Sequence, residues 1–132
     1  MCSSDLGGDG LAAAEFASVG GPGVEGSLMT FGPDPVKRPD AAAVVAKFKA
    51  KRIDPESYTL YSYAAIQVIK QAAEKANSLD PKKVADAMHS GMTFDTVIGK
   101  FSYDAKGDRN DADYVVYLWK KAADGKLVYE QM

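Results

Sequence analysis

Residues 94–108, Phe-Asp-Thr-Val-Ile-Gly-Lys-Phe-Ser-Tyr-Asp-Ala-Lys-Gly-Asp, carry a chain that has been helical into a strand and a tight turn, and so fix where helix must stop. Val97 and Ile98 are β-branched and predict a buried strand. Gly99 permits a turn or bulge, and Phe101 and Tyr103 alternate about Ser102 as on a half-buried strand. The strand is predicted to end at residues 104–108, where Gly107 can take positive φ and the aspartates can accept hydrogen bonds from nearby backbone. Residues 114–119 predict a second strand, and residues 123–126 a hairpin turn into Leu127, Val128 and Tyr129.

Upstream, the period is helical. Residues 11–18 predict a short helix with Phe16 turned inward, ending at Gly20 and Gly21. Residues 26–30 read as a short buried strand between Gly26 and Gly32-Pro33, and residues 34–39, with Pro35 and Pro39, as an extended connection. A helix is predicted from Asp40 to about Lys51, with Ala41, Val44, Val45 and Phe48 on its buried face. In the next, Tyr61, Ala65, Val68, Ile69, Ala72 and Ala76 form one stripe over about four turns. Asp80 as N-cap and Pro81 at the first helical position open a third helix, with Val84, Ala87 and Met88 facing inward. Three helices followed by a β-ribbon bury one continuous core only if a sheet lies beside them.

Composition excludes several classes. With 46% hydrophobic and 26% charged residues the chain has an ordinary globular balance, and no apolar run approaches the roughly 20 residues of a membrane span. A net charge of −2, from 16 basic and 18 acidic side chains, gives no broad positive field for nucleic acid. Lys47, Lys49, Lys51 and Arg52 cluster late in a predicted helix, where cations complement the dipole. His89 is the only histidine and sits at a predicted helix end. Ser57 and Ser62 have no base near them in sequence, and the acidic turn of Asp104, Asp108, Asn110, Asp111 and Asp113 lacks the order of an EF-hand loop. No catalytic residue, metal ligand or cofactor is predicted.

Several pieces recur in one order: Gly7-Gly-Asp-Gly10 before a short helix, Val24-Glu-Gly26 before a strand, Asp54-Pro55 before Tyr58, Tyr63-Ala-Ala65 on a long helix, Asp95-Thr-Val-Ile-Gly99, Asp104 to Asp108, and Trp119. Together they resemble the C-terminal part of the periplasmic branched-chain (leucine/isoleucine/valine) amino acid binding proteins, receptors of an ABC importer class. The resemblance covers nearly everything from Gly7 to Glu130. It implies an α/β chain that is an incomplete C-terminal part of a two-lobed type I periplasmic binding protein, the Venus-flytrap arrangement, because two lobes of roughly 100 to 200 residues each exceed this length.

On that resemblance, residues 7–30 are a piece of lobe 2, residues 31–115 the C-terminal half of lobe 1, and residues 116–132 the last crossover strand and hairpin. Residues 1–6 show no secretory pattern; residues 2–6 look like the translation of a sequencing adapter and are expected to be a non-native scar. Separated from its partners, such a fragment is expected to be marginal, with uncovered strand edges and helix faces.

An amino acid ligand presents an ammonium and a carboxylate, so a receptor must offer an acidic group for one and amides for the other. Spacing alone reads Asp9 as the N-cap of the helix at Leu11; the resemblance places it on the ligand ammonium, where branched-chain receptors mostly carry the longer glutamate. The resemblance likewise sets the ring of Tyr58 against the ligand side chain, while the residues alone allow packing at the helix start. Tyr61 and Tyr63 are expected in the core or between lobes. The implied partners are an amino acid and an ABC permease/ATPase complex, with no nucleic acid, and the implied compartment is the periplasm. The same fold also serves as a ligand-sensing domain of amide or amino acid regulators and receptors, a second expectation.

Overall fold

The computed structural model describes residues 6–56, 58–111 and 114–132. The chain runs β1 (Leu6–Gly7), α1 (Ala14–Gly20), β2 (Leu28–Phe31), α2 (Ala42–Ala50), α3 (Thr59–Ala76) and α4 (Pro81–Met88). It continues through β3 (Phe94–Thr96), β4 (Gly99–Phe101), β5 (Val115–Lys121) and β6 (Leu127–Gln131). It divides into two compact units: Met1–Pro33 with Asp113–Met132, and Asp34–Ala112. Residues 1–5 of the segment expected to be a scar, and Ser57 and Asp113, lie outside the described residues.

The first unit is built on a four-stranded sheet in the order β1-β2-β5-β6. Leu6 pairs with Leu28 in a parallel step, and α1 lies in the connection, as parallel neighbours require a crossover. β2 then pairs antiparallel with β5, from Leu28 opposite Leu118 to Phe31 opposite Val115. The hairpin expected around Gly125 joins β5 to β6. Alternation decides the buried face: Met29 and Phe31 on β2, Tyr117 and Trp119 on β5 are all buried. Phe16 of α1 lies 5.6 Å from the Trp119 ring, and Tyr129 of β6 5.0 Å from it. The Tyr117 hydroxyl donates to the Gly32 carbonyl at 3.0 Å.

The first helix differs from expectation. Residues 9–11 form a 3₁₀ turn and Ala13 is extended, with φ −121° and ψ 145°, so the α-helix starts only at Ala14. Leu11 therefore belongs to the turn.

In the second unit α3 is the central element. Leu60 and Ala64 pack with Ala41, Val44, Val45 and Val97; Val68 and Ala72 pack with Phe94 and Phe101. The predicted stripe was one position out of phase over its first half: Leu60 and Ala64 are buried where Tyr61 and Ala65 were expected, and Ile69 is 50% exposed. Small residues at 64 and 72 let neighbouring backbone approach closely, so the contacts of α3 with the β3–β4 hairpin and α4 select that stripe over the bulkier one. Asp80 caps α4 as expected, accepting from the Lys83 N–H at 3.0 Å.

Val97 and Ile98 are also corrected. They form the two-residue turn between β3 and β4, with Thr96 opposite Gly99. Val97 is buried, 3% exposed, and Ile98 is partly buried, but at a turn tip pressed into the helices. Gly99 has φ 103°, and a Cβ there would collide with the Arg38 guanidinium. Two glutamines on successive turns of α3 hold this hairpin. The Gln71 amide donates to the Asp95 carbonyl (2.9 Å) and accepts from its N–H (3.0 Å), while Gln67 Oε1 accepts from the Val97 N–H (2.9 Å). Downstream, the Asp104 carboxylate accepts from the N–H groups of Lys106, Gly107 and Asp108, the turn that the sequence predicted.

Phe94 has no exposed surface, so Phe94→Ala should cost about 3–5 kcal/mol of stability. Gln71→Ala, which removes the two side-chain hydrogen bonds to Asp95 and one to the Gln67 carbonyl at an accessible site, should cost about 1–2 kcal/mol. Urea denaturation reads both as midpoint shifts at constant slope; an unchanged midpoint for Gln71→Ala would refute the hairpin-docking role.

Candidate functional site

Asp9 follows β1 after the single residue Gly8 and is the first residue of the 3₁₀ turn Asp9–Leu11, in the first compact unit. The capping expectation is not met in position: Gly8 is the N-cap of this turn and Ala13 that of α1. Asp9 is exposed. Its glycine neighbours differ in use from Gly7. A Cβ at Gly7 would strike the Leu11 side chain, whereas at Gly8 and Gly10 it would meet no atom within 4 Å. The backbone on either side of Asp9 is thus bare and faces open space, a surface that a ligand can approach closely.

Tyr58 belongs to the second unit and is the N-cap residue of α3. It makes no side-chain cap bond; its carbonyl accepts from the Ser62 N–H at 2.9 Å. The turn before it is closed reciprocally, with the Glu56 N–H donating to Thr59 Oγ1 (3.1 Å) and the Thr59 N–H to the Glu56 carbonyl (2.9 Å). Tyr58 is 45% exposed. Tyr61 is half-buried, and Tyr63 meets Phe48 edge-on with centroids 6.4 Å apart.

Two surface grooves lie apart from both residues. One, of about 480 Å³, runs between α1 and the β5–β6 hairpin past Ala17, Pro22, Lys121 and Leu127. The other, of about 410 Å³, is floored by Val44, Phe48 and Tyr63 between α2 and α3 and edged by Lys47 and Lys51. The sequence reading assigned these lysines only to the helix dipole; the i, i+4 spacing of Lys47 and Lys51 about Phe48 was the available signal. His89, at the end of α4, places Nδ1 3.2 Å from the Ala105 carbonyl. Among the described residues, no group of three His, Cys, Asp or Glu side chains could hold a metal ion, and no helix is long and apolar enough to cross a membrane.

A family model described as "Periplasmic binding protein" matches residues 5–126. This chain belongs to the periplasmic binding protein family. The match begins at residue 5, and Leu6 is already paired in β1. The chain is 53% identical over 96% of its length to the Leu/Ile/Val-binding protein homolog 1 of Brucella suis, covering 34% of that relative. It is 48% identical over 94% of its length to an amino acid binding protein of Pseudomonas aeruginosa, covering 32% of it. The structure superposes on a leucine binding protein of Thermotoga maritima with a TM-score of 0.77 and 31% identity, covering 95% of this chain and 35% of that one. The fold is that of the type I periplasmic binding proteins, and this member spans about a third of the length of the relatives it matches.

One carboxyl in this periplasmic binding protein is held below the ordinary aspartate range. Asp124, in the β5–β6 turn, accepts from the Lys126 N–H at 3.1 Å and also pairs with the Lys126 ammonium at 3.3 Å. Both favour the ionised form, so the folded state is favoured above the ordinary aspartate pKa and loses that contribution as pH falls through the lowered folded value. A carboxyl-detected NMR titration should find Asp124 titrating below a free aspartate, and Lys126→Ala should move it back towards the ordinary value. An unshifted Asp124 would contradict the turn geometry.

Proposed function

We propose that this chain is part of the substrate-binding component of an ABC importer, a receptor that captures a branched-chain or related amino acid in the periplasm and delivers it to a membrane permease driven by an ATPase. The observation that carries this reading is the 53% identity, across 96% of the chain, to a relative named as a Leu/Ile/Val-binding protein homolog.

The residues supply a consistent chemistry. A ligand ammonium leaving water needs an anionic partner, and Asp9 offers one on an exposed turn between two glycines that leave its approach open. Aspartate is one methylene shorter than glutamate, so the ammonium must come closer to the backbone, which bare Gly8 and Gly10 allow. Tyr58, at the start of α3 and nearly half exposed, is the proposed apolar contact for the ligand side chain. In a hinged receptor the ligand shifts the equilibrium towards closure only by its differential affinity for the closed state, so each contact completed on closing contributes to capture.

The test joins this chain to the remaining two thirds of its Brucella suis relative and measures leucine binding by calorimetry. Asp9→Ala should weaken binding by about 3–5 kcal/mol, because the ammonium is left unpaired in a closed site. Tyr58→Ala should cost about 1–2 kcal/mol of apolar contact. Unchanged affinity in Asp9→Ala would reject its role, and a folded chimera that binds no amino acid would reject the transport reading.

A further inference from the structure

The turn that carries Asp9 is fixed at both ends. On the strand side Gly7 pairs with Met29, which has no exposed surface. On the far side Ala12 is buried, and its N–H donates to the Asp9 carbonyl at 3.0 Å; the Leu11 N–H donates to that of Gly8 at 3.2 Å. Between these ends the half-buried Leu11 side chain folds back over Gly7. A Cβ added at Gly7 would strike Leu11 Cδ1 and come within 2.9 Å of its Cγ. The φ of Gly7 is not positive, so the backbone would accept a side chain there and it is Leu11 that excludes one.

With three residues per turn, successive side chains of a 3₁₀ turn leave it about 120° apart. Leu11 takes the direction of the strand, so Asp9 and Gly10 take the other two, and both are exposed. The seating of Leu11 thus sets which way the Asp9 carboxylate points. We propose that Gly7 and Leu11 are positioning residues for the ligand ammonium: the side chain that Gly7 lacks leaves the seat for Leu11, and the pair holds the carboxylate in one orientation before the ligand arrives. This rests on the reading of Asp9 as the ammonium partner. Because Gly7 is tied into the sheet opposite Met29, the turn must absorb any side chain placed at position 7. Either Leu11 leaves its rotamer or residues 8–11 move off the strand, and both release Asp9.

Leucine calorimetry and amide hydrogen exchange over residues 8–12, both on the chimera with the Brucella suis relative, test this. Gly7→Ala should weaken leucine binding roughly fivefold, the scale of one side chain forced off its rotamer, and should speed exchange of the Leu11 and Ala12 N–H groups. Leu11→Ala, which empties the seat without a clash, should act in the same direction on both readouts. In the Leu11→Ala background Gly7→Ala should cost nothing further, and in the Asp9→Ala background neither change should lower the remaining affinity, results that a purely structural contact would not give. Should Gly7→Ala alone fail to fold, Leu11→Ala is expected to restore folding, and no restoration would overturn the steric pairing. Wild-type binding by Gly7→Ala, or its full loss repeated in either background, would overturn the positioning role while leaving Asp9 its ligand. Unchanged leucine affinity in Asp9→Ala would remove the ammonium contact itself, and this inference with it.

Discussion

The antiparallel pairing of β2 with β5 is the constraint on which the first unit depends. Phe31 and Val115 face each other across a connection of roughly 80 residues, and closing so long a loop costs about 4 kcal/mol of chain entropy before any constant term. What offsets it is burial on one face of the sheet. Met29, Phe31, Tyr117 and Trp119 are all nearly inaccessible, and side chains of this kind contribute about 1.5–3 kcal/mol each when fully buried. Phe16 and Tyr129 extend the aromatic cluster around Trp119, tying α1 and β6 to the same four residues. The residues of the intervening connection fold as a compact unit of their own, Asp34–Ala112.

Within that inserted unit, α3 serves two neighbours by two kinds of interaction. Its Leu60–Ala64–Val68–Ala72 stripe supplies apolar contact to both clusters of the unit. Its glutamines do what a neighbouring strand would otherwise do: the Gln71 amide offers Asp95 one donor and one acceptor, as a strand residue does, and Gln67 takes the Val97 N–H at the turn. This lets a two-stranded hairpin, marginal alone, keep its backbone satisfied against a helix. Arg109, whose guanidinium lies 4.4 Å from the Phe101 ring centroid, closes the far side of the same hairpin.

The candidate site was partly legible because its residues are marked locally. Asp9 between glycines and Tyr58 before a helical run could be picked out by type and neighbours, and the structure puts one on a 3₁₀ turn after a strand and the other at a helix N-cap. The expectation that Asp9 would cap a helix failed because the extended backbone at Ala13 delays that helix to Ala14. The groove edged by Lys47 and Lys51 was invisible as a groove, since its floor combines Phe48 of α2 with Tyr63 of α3 and exists only once those helices pack.

The sequence by itself determined what acts over a few residues: the Asp80-Pro81 helix start, the turns at Gly107 and Gly125, the strand alternation of residues 115–119, and the string of short motifs that marks the family. These follow from caps, allowed φ values and side-chain period, each settled by near neighbours. Tertiary structure decided the rest. That Val97 is buried at a turn and not along a strand, that Leu60 and Ala64 replace Tyr61 and Ala65 in the core, and that β5 joins β2 across most of the chain all depend on shared burial between distant residues, which has no expression in local order.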